Sequence, residues 1–281
     1  MSNSLSQGTA LITGASSGIG SVYADRLAKR GYDLILVARN EKRLKFLSAR
    51  LTRETRRSVK ALRADLNDKV ELAKVEATLR DDPSVSVLVN NAGVGSVAPL
   101  LAADVEKRED IIDLNVTALT RLTYAAAPAF VARGTGTIIN IGSVVGISPE
   151  TLNGVYGATK AYVLALSHSL QHELASKGIR IQAVLPGATA TEAWEIAGLP
   201  YQNLSPEIVM SPEDVVDAAL VGLDLGELVT LPSLQDGDEW TRFEAARRAL
   251  SNRFGNSVPA PRYRPPPTAV SAVGTERRGS P

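Results

Sequence analysis

Hydrophobic positions follow two alternating patterns along this chain. Short apolar runs rich in β-branched residues alternate with longer segments in which apolar residues recur at helical spacing. Short runs of this kind predict strands of a parallel sheet that is covered on both faces, and the longer segments predict helices. The predicted strands are Thr9–Thr13, Asp33–Ala38, Val59–Ala64, Val85–Asn90, Gly136–Ile141, Ile179–Leu185 and Leu228–Leu231.

The longer segments complete the pattern. The predicted helices are Gly18–Arg30, Glu41–Thr55, Asp68–Arg80, Asp104–Arg133, Gly154–Lys177, Pro212–Leu225 and Asp238–Phe254. Pro128 is a candidate break in the fourth helix, and Asp238 is the predicted N-cap of the last. Alternation of strand and helix implies right-handed crossovers. The sequence therefore predicts an α/β protein with a single-domain Rossmann fold, a doubly wound seven-stranded parallel sheet flanked by helices.

The remaining segments set the predicted boundaries. Residues 9–255 are predicted to form the domain, after a flexible, polar N-terminus at 1–8. Residues 256–281 are rich in Pro and Arg, a composition typical of disorder. Residues 188–211, the covering segment, interrupt the strand–helix pattern beyond a strand end. Ligands of such sheets bind there, so we predict that this segment covers the substrate.

Composition and charge argue against several kinds of partner and site. A net charge of +1 gives no general reason to bind nucleic acid or membrane, and the absence of cysteine excludes disulfides and thiolate metal sites. His168 and His172 are four apart on a predicted helix but have no evident third ligand, so we expect no metal site. The polar N-terminus, residues 1–8, has no apolar core of signal-peptide length, and no apolar run in the chain approaches the length of a membrane span. We expect a cytoplasmic protein.

Glycines follow the first predicted strand. The segment from Thr9 reads T-A-L-I-T-G-A-S-S-G-I-G. Gly14 would allow a tight turn, Gly18 would let the backbone approach a pyrophosphate, and Gly20 would let the helix pack on the strand. The start of the helix offers free N–H groups to an anion. The predicted cofactor contacts in this loop are Gly14, Ser16, Ser17, Gly18, Ile19 and Gly20.

The end of the second strand bears on the type of dinucleotide. An acidic residue there would bind the ribose 2′-hydroxyl of NAD, but this chain has Ala38 followed by Arg39. A guanidinium pairs with a 2′-phosphate, whereas a carboxylate would repel it. The sequence therefore favours NADP(H) over NAD(H). The alternative is that Arg39 is a solvated residue after a strand.

Polar residues lie at the carboxyl ends of the next strands and in the long helix. Asp65 and Leu66 follow the third strand, and Asn90 to Gly93 follow the fourth, so we expect these residues at the cofactor. Asn115 lies mid-helix, where it is a poor helix former. It could bend the helix and offer its amide to a water, or bond its own helix backbone.

A tyrosine and a lysine share one helix face after the fifth strand. Tyr156 and Lys160 are four apart, and Ser143 lies in the preceding glycine-containing loop. A nearby ammonium favours the phenolate and lowers the pKa of a phenol, and a loop hydroxyl could hold a carbonyl oxygen within its reach. The alternative is that Tyr-x-x-x-Lys is ordinary amphipathic surface.

These motifs together resemble the short-chain dehydrogenase/reductase family in its ordinary short form, over roughly residues 7–230. The matching features, in family order, are T-G-A-S-S-G-I-G, N-N-A-G, Asn115, Ser143, Y-G-A-T-K and Pro186-Gly187. The family implies a Rossmann fold with a nicotinamide cofactor and no catalytic metal. One departure is Ser17, where some NADP users carry a basic residue, so Arg39 supports the NADP assignment almost alone.

The resemblance also implies roles for the matched residues. Tyr156 would be the general acid/base, Lys160 would lower its pKa and hold the nicotinamide ribose, and Ser143 would orient the substrate. Asn115 would support a water in a proton relay behind Lys160. The remaining implied contacts, near the nicotinamide amide, are Pro186, Gly187 and either Thr189 or Thr191.

The covering segment is the predicted substrate wall. It contains Trp194, which we predict to contact the substrate, and two acids, Glu192 and Glu195, which we expect to face water. Its apolar residues favour a partly apolar substrate. Beyond this, the sequence does not identify the substrate.

We therefore expect an oxidoreductase that transfers a hydride between NADP(H) and a small carbonyl or secondary alcohol. The family resemblance implies a homodimer or homotetramer. One alternative is a non-catalytic protein on the same fold that senses the cofactor or holds partners. Another is an epimerase or dehydratase of the extended form, for which the C-terminal region is too short.

Overall fold

A seven-stranded parallel sheet forms the centre of the computed structural model, which describes residues 6–152 and 154–264. The strands are β1 (Thr9–Thr13), β2 (Asp33–Ala38), β3 (Val59–Arg63), β4 (Val85–Asn90), β5 (Gly136–Ile141), β6 (Ile179–Val184) and β7 (Val229–Thr230). Their order across the sheet is β3-β2-β1-β4-β5-β6-β7. The predicted Rossmann fold is confirmed, with β3, β6 and β7 slightly shorter than predicted.

The strand order creates a crevice at the carboxyl ends of the strands. Ile12 of β1 pairs with Leu36 of β2 on one side and with Val89 of β4 on the other. The chain thus leaves β1 towards one edge of the sheet and later returns to build the other half from β4. Ligands of open α/β sheets bind where the direction reverses, which is the space between β1 and β4.

Helices cover both faces of the sheet. The α-helices between Thr9 and Ser233 are α1 (Gly18–Lys29), α2 (Glu41–Thr55), α3 (Lys69–Asp81), α4 (Val105–Ile112), α5 (Leu119–Arg133), α6 (Val155–Leu174), α7 (Ala193–Ala197) and α8 (Pro212–Asp224); α9 (Gly237–Ser251) follows later in the chain. Strand side chains alternate between the faces. Accordingly Ile12 packs in a core with α1, α2 and α8, whereas Leu11 packs in a second core with α3, α5 and α6.

The long helix predicted at Asp104–Arg133 is interrupted at a different place. A π-helical turn at Asp113–Ala118 separates α4 from α5, and α5 continues through Pro128. Pro128 is exposed. The carbonyl that its missing N–H leaves free can therefore bond to water, which explains why the helix tolerates it. The irregularity instead lies at Asn115.

The described residues divide into two compact units after Ser233, whereas the sequence analysis placed residues 9–255 in one domain. In the second unit, α9 is capped by Asp236, which accepts from the backbone N–H of Asp238; the prediction of Asp238 as the cap was wrong. Of the predicted disordered tail, residues 265–281 lie outside the described residues. The same is true of residues 1–5 of the predicted flexible N-terminus.

Candidate active site

The glycine turn after β1 leaves the start of α1 open. Gly14 and Gly18 have φ of 64° and 50°, the left-handed region that favours glycine. Ser17 precedes α1 but makes no side-chain cap, and the first turn of α1 holds no acidic residue. The N–H groups and positive dipole end of α1 therefore remain available to an anion.

Asn91, part of the segment expected at the cofactor, holds the glycine turn against the end of β4. Its Nδ2 donates to the carbonyls of Thr13 at 2.9 Å and Gly14 at 3.3 Å. In return, Thr13 Oγ1 accepts from the backbone N–H groups of Asn91 and Ala92 at 3.0 and 2.9 Å. A methyl group added at Gly20 would overlap the Gly14 carbonyl oxygen and lie 2.5 Å from Asn91 Nδ2. The turn is thus closely packed.

Asn90 was predicted at the cofactor, but its side chain lies in the core. Its Nδ2 donates to Asn140 Oδ1 at 2.9 Å and to Thr123 Oγ1 at 3.1 Å. Asn140 in turn donates to Ser167 Oγ at 3.0 Å. Leu66 is likewise buried in the core. Asn90 and Leu66 can therefore contact a ligand in the crevice only through their backbone atoms.

Arg39 and Asp65 lie at the carboxyl ends of neighbouring strands. Arg39 is exposed at the end of β2, immediately before Asn40, whose side chain caps α2. The backbone N–H of Asp65 donates to Glu71 at 2.6 Å, and Glu71 also pairs with Arg63. The structure thus places both residues beyond the carboxyl ends of β2 and β3, with Arg39 exposed to solvent.

Ser143, Tyr156 and Lys160 come together at the end of β5. Tyr156 forms a side-chain hydrogen bond with Ser143, whose Oγ also donates to the Pro186 carbonyl at 3.3 Å. Lys160 is buried, and its Nζ donates to the Ile141 carbonyl at 2.8 Å. The same Nζ lies 5.7 Å from the centre of the Tyr156 ring. Three predicted catalytic residues therefore share one site.

Burial determines the direction of both pKa shifts. Burial raises the pKa of Tyr156 above its ordinary value, although the hydrogen bond with Ser143 opposes this rise. Burial also lowers the pKa of Lys160 to about 8. The sequence predicted that Lys160 would lower the Tyr156 pKa, but desolvation is the larger effect here. Tyr156 therefore holds its proton at neutral pH and can donate it.

The side chain of Asn115 bonds to protein atoms. Its Oδ1 accepts from the Val94 N–H at 2.9 Å, and its Nδ2 donates to the Val94 carbonyl at 2.9 Å and to Thr159 Oγ1 at 3.0 Å. The alternative in which Asn115 bonds its own helix backbone is therefore wrong, and its support of a water behind Lys160 stays a prediction. Asn115 joins the loop after β4 to α6, the helix of Tyr156.

The covering segment lies against both ends of this site. A methyl group on Gly18 would come within 3.0 Å of Thr191 Cγ2, and one on Gly95 would lie 3.7 Å from both Ala197 Cβ and the Tyr156 ring. Thr191 thus contacts the start of α1, and Ala197 lies near Tyr156.

The other residues predicted in this region lie around these contacts. Thr189 is buried, and its Oγ1 donates to the Gly187 carbonyl at 3.1 Å. Trp194 is half-buried on α7. In the described residues no group of three or more His, Cys, Asp or Glu side chains could hold a metal ion. Within the same residues, no helix is both long and apolar enough to cross a bilayer.

Comparisons with known proteins find similar chains and the same fold. A short-chain dehydrogenase from Sphingobium yanoikuyae, solved in complex with NADPH, is 51% identical with a TM-score of 0.89, over 92% of this chain and 100% of that one. A bulky-bulky ketone specific alcohol dehydrogenase from Comamonas testosteroni is 44% identical with a TM-score of 0.85, over 93% and 100%. An uncharacterised oxidoreductase of Staphylococcus epidermidis is 32% identical over 207 residues, which are 71% of this chain and 88% of that protein.

The family model described as short chain dehydrogenase matches residues 8–198. This region begins just before β1 and ends after α7, so it contains the glycine turn, Asn115 and the Ser143–Tyr156–Lys160 site. From this match and these structural neighbours, the chain belongs to the short-chain dehydrogenase/reductase family of oxidoreductases.

Proposed function

We propose that this protein is an NADP(H)-dependent reductase of ketones, reversible towards the secondary alcohol. The observation that carries the proposal is the position of the buried Lys160 ammonium, 5.7 Å from the centre of the Tyr156 ring, at the site where the Ser143 hydroxyl also meets the phenol. A proton donor, a second hydroxyl and a buried cation thus converge beside a crevice whose far end is a helix N-terminus. Such an arrangement suits proton transfer to a carbonyl oxygen.

The crevice fits a dinucleotide. Gly18 and Gly20 supply a turn in which side chains would clash, and the uncapped start of α1 supplies N–H groups for a pyrophosphate. Arg39 would pair with the 2′-phosphate, because the preceding Ala38 provides no competing carboxylate. The rest of the cofactor would contact Asp65, Gly93, Gly187 and Thr191. The bound nicotinamide would supply the hydride.

The residues of this chain would hold the proton and transfer it to the substrate. Tyr156 would donate its proton to the carbonyl oxygen, and the pKa raised by burial keeps that proton in place at neutral pH. Ser143 would hold the oxygen within reach of the phenol and stabilise the phenolate once the proton has left. The Lys160 ammonium would favour the same phenolate by charge attraction. Asn115 would keep α6 and the loop after β4 in register around these groups.

The relatives support this choice of substrate and cofactor. The Sphingobium yanoikuyae structure contains NADPH, and the Comamonas testosteroni enzyme is specific for ketones that are bulky on both sides. In this chain Gly95 and Ala197 line the wall beside Tyr156, which keeps side-chain volume near the phenol low. We therefore propose ketones with two large, partly apolar substituents as the first compounds to assay. A homodimer or homotetramer in the cytoplasm stays a prediction.

Tyr156→Phe tests the proposal directly. Loss of NADPH absorbance should be measured against a panel of ketones and aldehydes, with NADH in parallel. We expect turnover with NADPH to fall by about 10²–10⁴-fold in the variant, because the proton donor is gone. NADPH binding, measured by fluorescence titration, should be retained. Turnover within a few-fold of the parent would contradict the role of Tyr156, and equal use of NADH would contradict that of Arg39.

A further inference from the structure

An ion pair connects the covering segment to α2. Arg43, on the first turn of α2, donates through Nη1 and Nη2 to Glu192 Oε2 and Oε1 at 2.6 and 3.0 Å. The two residues are 149 positions apart in the chain. Glu192 faces water, as expected, and in addition it forms a two-pronged bond with a guanidinium, the geometry in which Arg–carboxylate pairs are strongest.

The ion pair lies at one end of a chain segment that runs along the crevice. Thr191, next to Glu192, contacts the Gly18 backbone at the start of α1. At the other end, the carbonyl of Ala197 accepts from the Val97 N–H at 3.2 Å. Residues 191–197 therefore extend from the proposed pyrophosphate site to Tyr156. A dinucleotide bound in the crevice would lie beneath them.

The attachments of this segment differ in how readily they open. Ala190 donates to the Met210 carbonyl at 2.9 Å, and Met210 donates to that of Ala188 at 2.9 Å, so the segment is closed on itself by main-chain bonds. The Arg43 and Glu192 side chains are 48% and 54% exposed. Exposed ion pairs are weak and screened by salt. The Arg43–Glu192 pair is therefore the attachment between exposed residues, and it opens at lower cost than the half-buried main-chain bond from Val97 to Ala197.

We propose that Arg43 and Glu192 are positioning residues that hold the covering segment over the bound dinucleotide and thereby slow its exchange. The inference rests on the proposed function, since it requires a cofactor in the crevice. Neither residue needs to touch the cofactor for this effect. When the pair opens, Thr191 moves away from Gly18 and the pyrophosphate site becomes accessible.

The test is the rate of NADPH release. Protein loaded with NADPH is mixed with excess NADP⁺ in a stopped-flow instrument, and the loss of NADPH fluorescence is followed. We expect release to be about threefold to fivefold faster in Glu192→Gln and in Arg43→Gln, with no further increase in the double variant. At about 0.5 M NaCl the parent should approach the rate of the variants, because salt screens the pair.

A matched control lies on the same helix. Glu41 and Lys45 form another exposed ion pair of 2.6 Å within α2. Lys45→Gln removes this pair and should leave the release rate unchanged. An equal acceleration by Lys45→Gln would show that helix charge, rather than the link to the covering segment, controls release, and would overturn the proposal.

Two further outcomes would contradict the proposal that the Arg43–Glu192 pair slows cofactor exchange. If Arg43 bound the 2′-phosphate directly, Arg43→Gln would speed release while Glu192→Gln, which frees the guanidinium, would slow it. Unchanged release in Glu192→Gln would also overturn the inference while leaving the proposed reductase intact, provided the parent reduces ketones. If the parent does not bind NADPH, the proposed function and this inference fail together.

Discussion

The site has two walls that are held in different ways. One wall, formed by the glycine turn after β1, β5, α6 and the turn around Asn115, is fixed by buried hydrogen bonds such as those of Lys160 to Ile141 and of Asn115 to Thr159. The other wall, the covering segment, is attached at the α1 end through the exposed Arg43–Glu192 pair. Buried polar groups are costly to leave unpaired, whereas exposed pairs open at little cost.

The difference separates two tasks. Proton transfer depends on atoms held to a fraction of an ångström, so the groups that perform it belong on the fixed wall. Binding and release of a large cofactor require part of the site to move. The comparison predicts that substitutions in the fixed wall change stability and catalysis, whereas substitutions in the covering segment mainly change ligand exchange.

Substitution of one glycine in each wall should give the largest difference in stability between the two walls. Gly20→Ala on the fixed side places a methyl group against the Gly14 carbonyl and Asn91 Nδ2. We expect the free energy of unfolding to fall by about 3 kcal/mol. In the covering segment, a methyl on Gly198 meets only Val97, at 3.9 Å, so Gly198→Ala costs only the strain of its φ of 94°, about 1 kcal/mol.

Urea unfolding of both variants measures this contrast. Gly237→Ala serves as the control, because its added methyl would meet no atom within 4 Å. Equal losses at Gly20 and Gly198 would mean that the two walls are packed alike, and the comparison would have to be abandoned.

The pH dependence of stability sharpens the account of the fixed wall. Burial lowers the pKa of Lys160 from 10.5 to about 8, so between these values the unfolded chain binds more protons than the folded one. The contribution of this group to stability therefore rises as pH increases through that range. Relative to Lys160→Met, the parent should gain about 2 kcal/mol between pH 8 and pH 10.

Unfolding by urea at several pH values provides the measurement. The raised pKa of Tyr156 acts only above its ordinary value of 10, so it does not disturb the comparison in this range. A difference between parent and Lys160→Met that does not change with pH would show that Lys160 is not desolvated.

Thr159 gives the smallest expected effect. Its Oγ1 accepts from Asn115 Nδ2 at 3.0 Å and donates to the Tyr156 carbonyl at 2.8 Å. Thr159→Val removes both bonds at nearly constant volume, so we expect a loss of about 1 kcal/mol in stability. The kcat for ketone reduction should fall with little change in the KM for NADPH. Thr159→Ser should restore both values, and failure of this rescue would assign the effect to shape instead.

The sequence predicted those parts of the site that depend on local backbone geometry. The glycine turn follows from Gly14 to Gly20, and the shared face of Tyr156 and Lys160 follows from helical spacing. Both depend on neighbours within one or two turns of chain. The fold class was predictable for the same reason, since strand and helix patterns are local.

Other features depend on contacts that local patterns do not contain. Which asparagine of N-N-A-G supports the glycine turn depends on which side of β4 each one faces, and Asn91 rather than Asn90 lies on that side. The partners of Asn115 and Glu192 come from distant parts of the chain. Burial, which reverses the expected shift of the Tyr156 pKa, is likewise a property of the assembled site.

The row of amides across the sheet has a consequence for strand alignment. Asn90 and Asn140 are paired residues of β4 and β5, and Asn140 continues the row to Ser167 of α6. A strand of aliphatic residues whose register shifted by two would still present apolar side chains to the same face. In a strand shifted by two residues, however, the asparagine amide would lose its hydrogen-bond partner in the apolar interior. The Asn90–Asn140 pair therefore favours one register of β4 and β5, and the bond from Asn140 to Ser167 ties β5, which leads into Ser143, to α6, the helix of Tyr156.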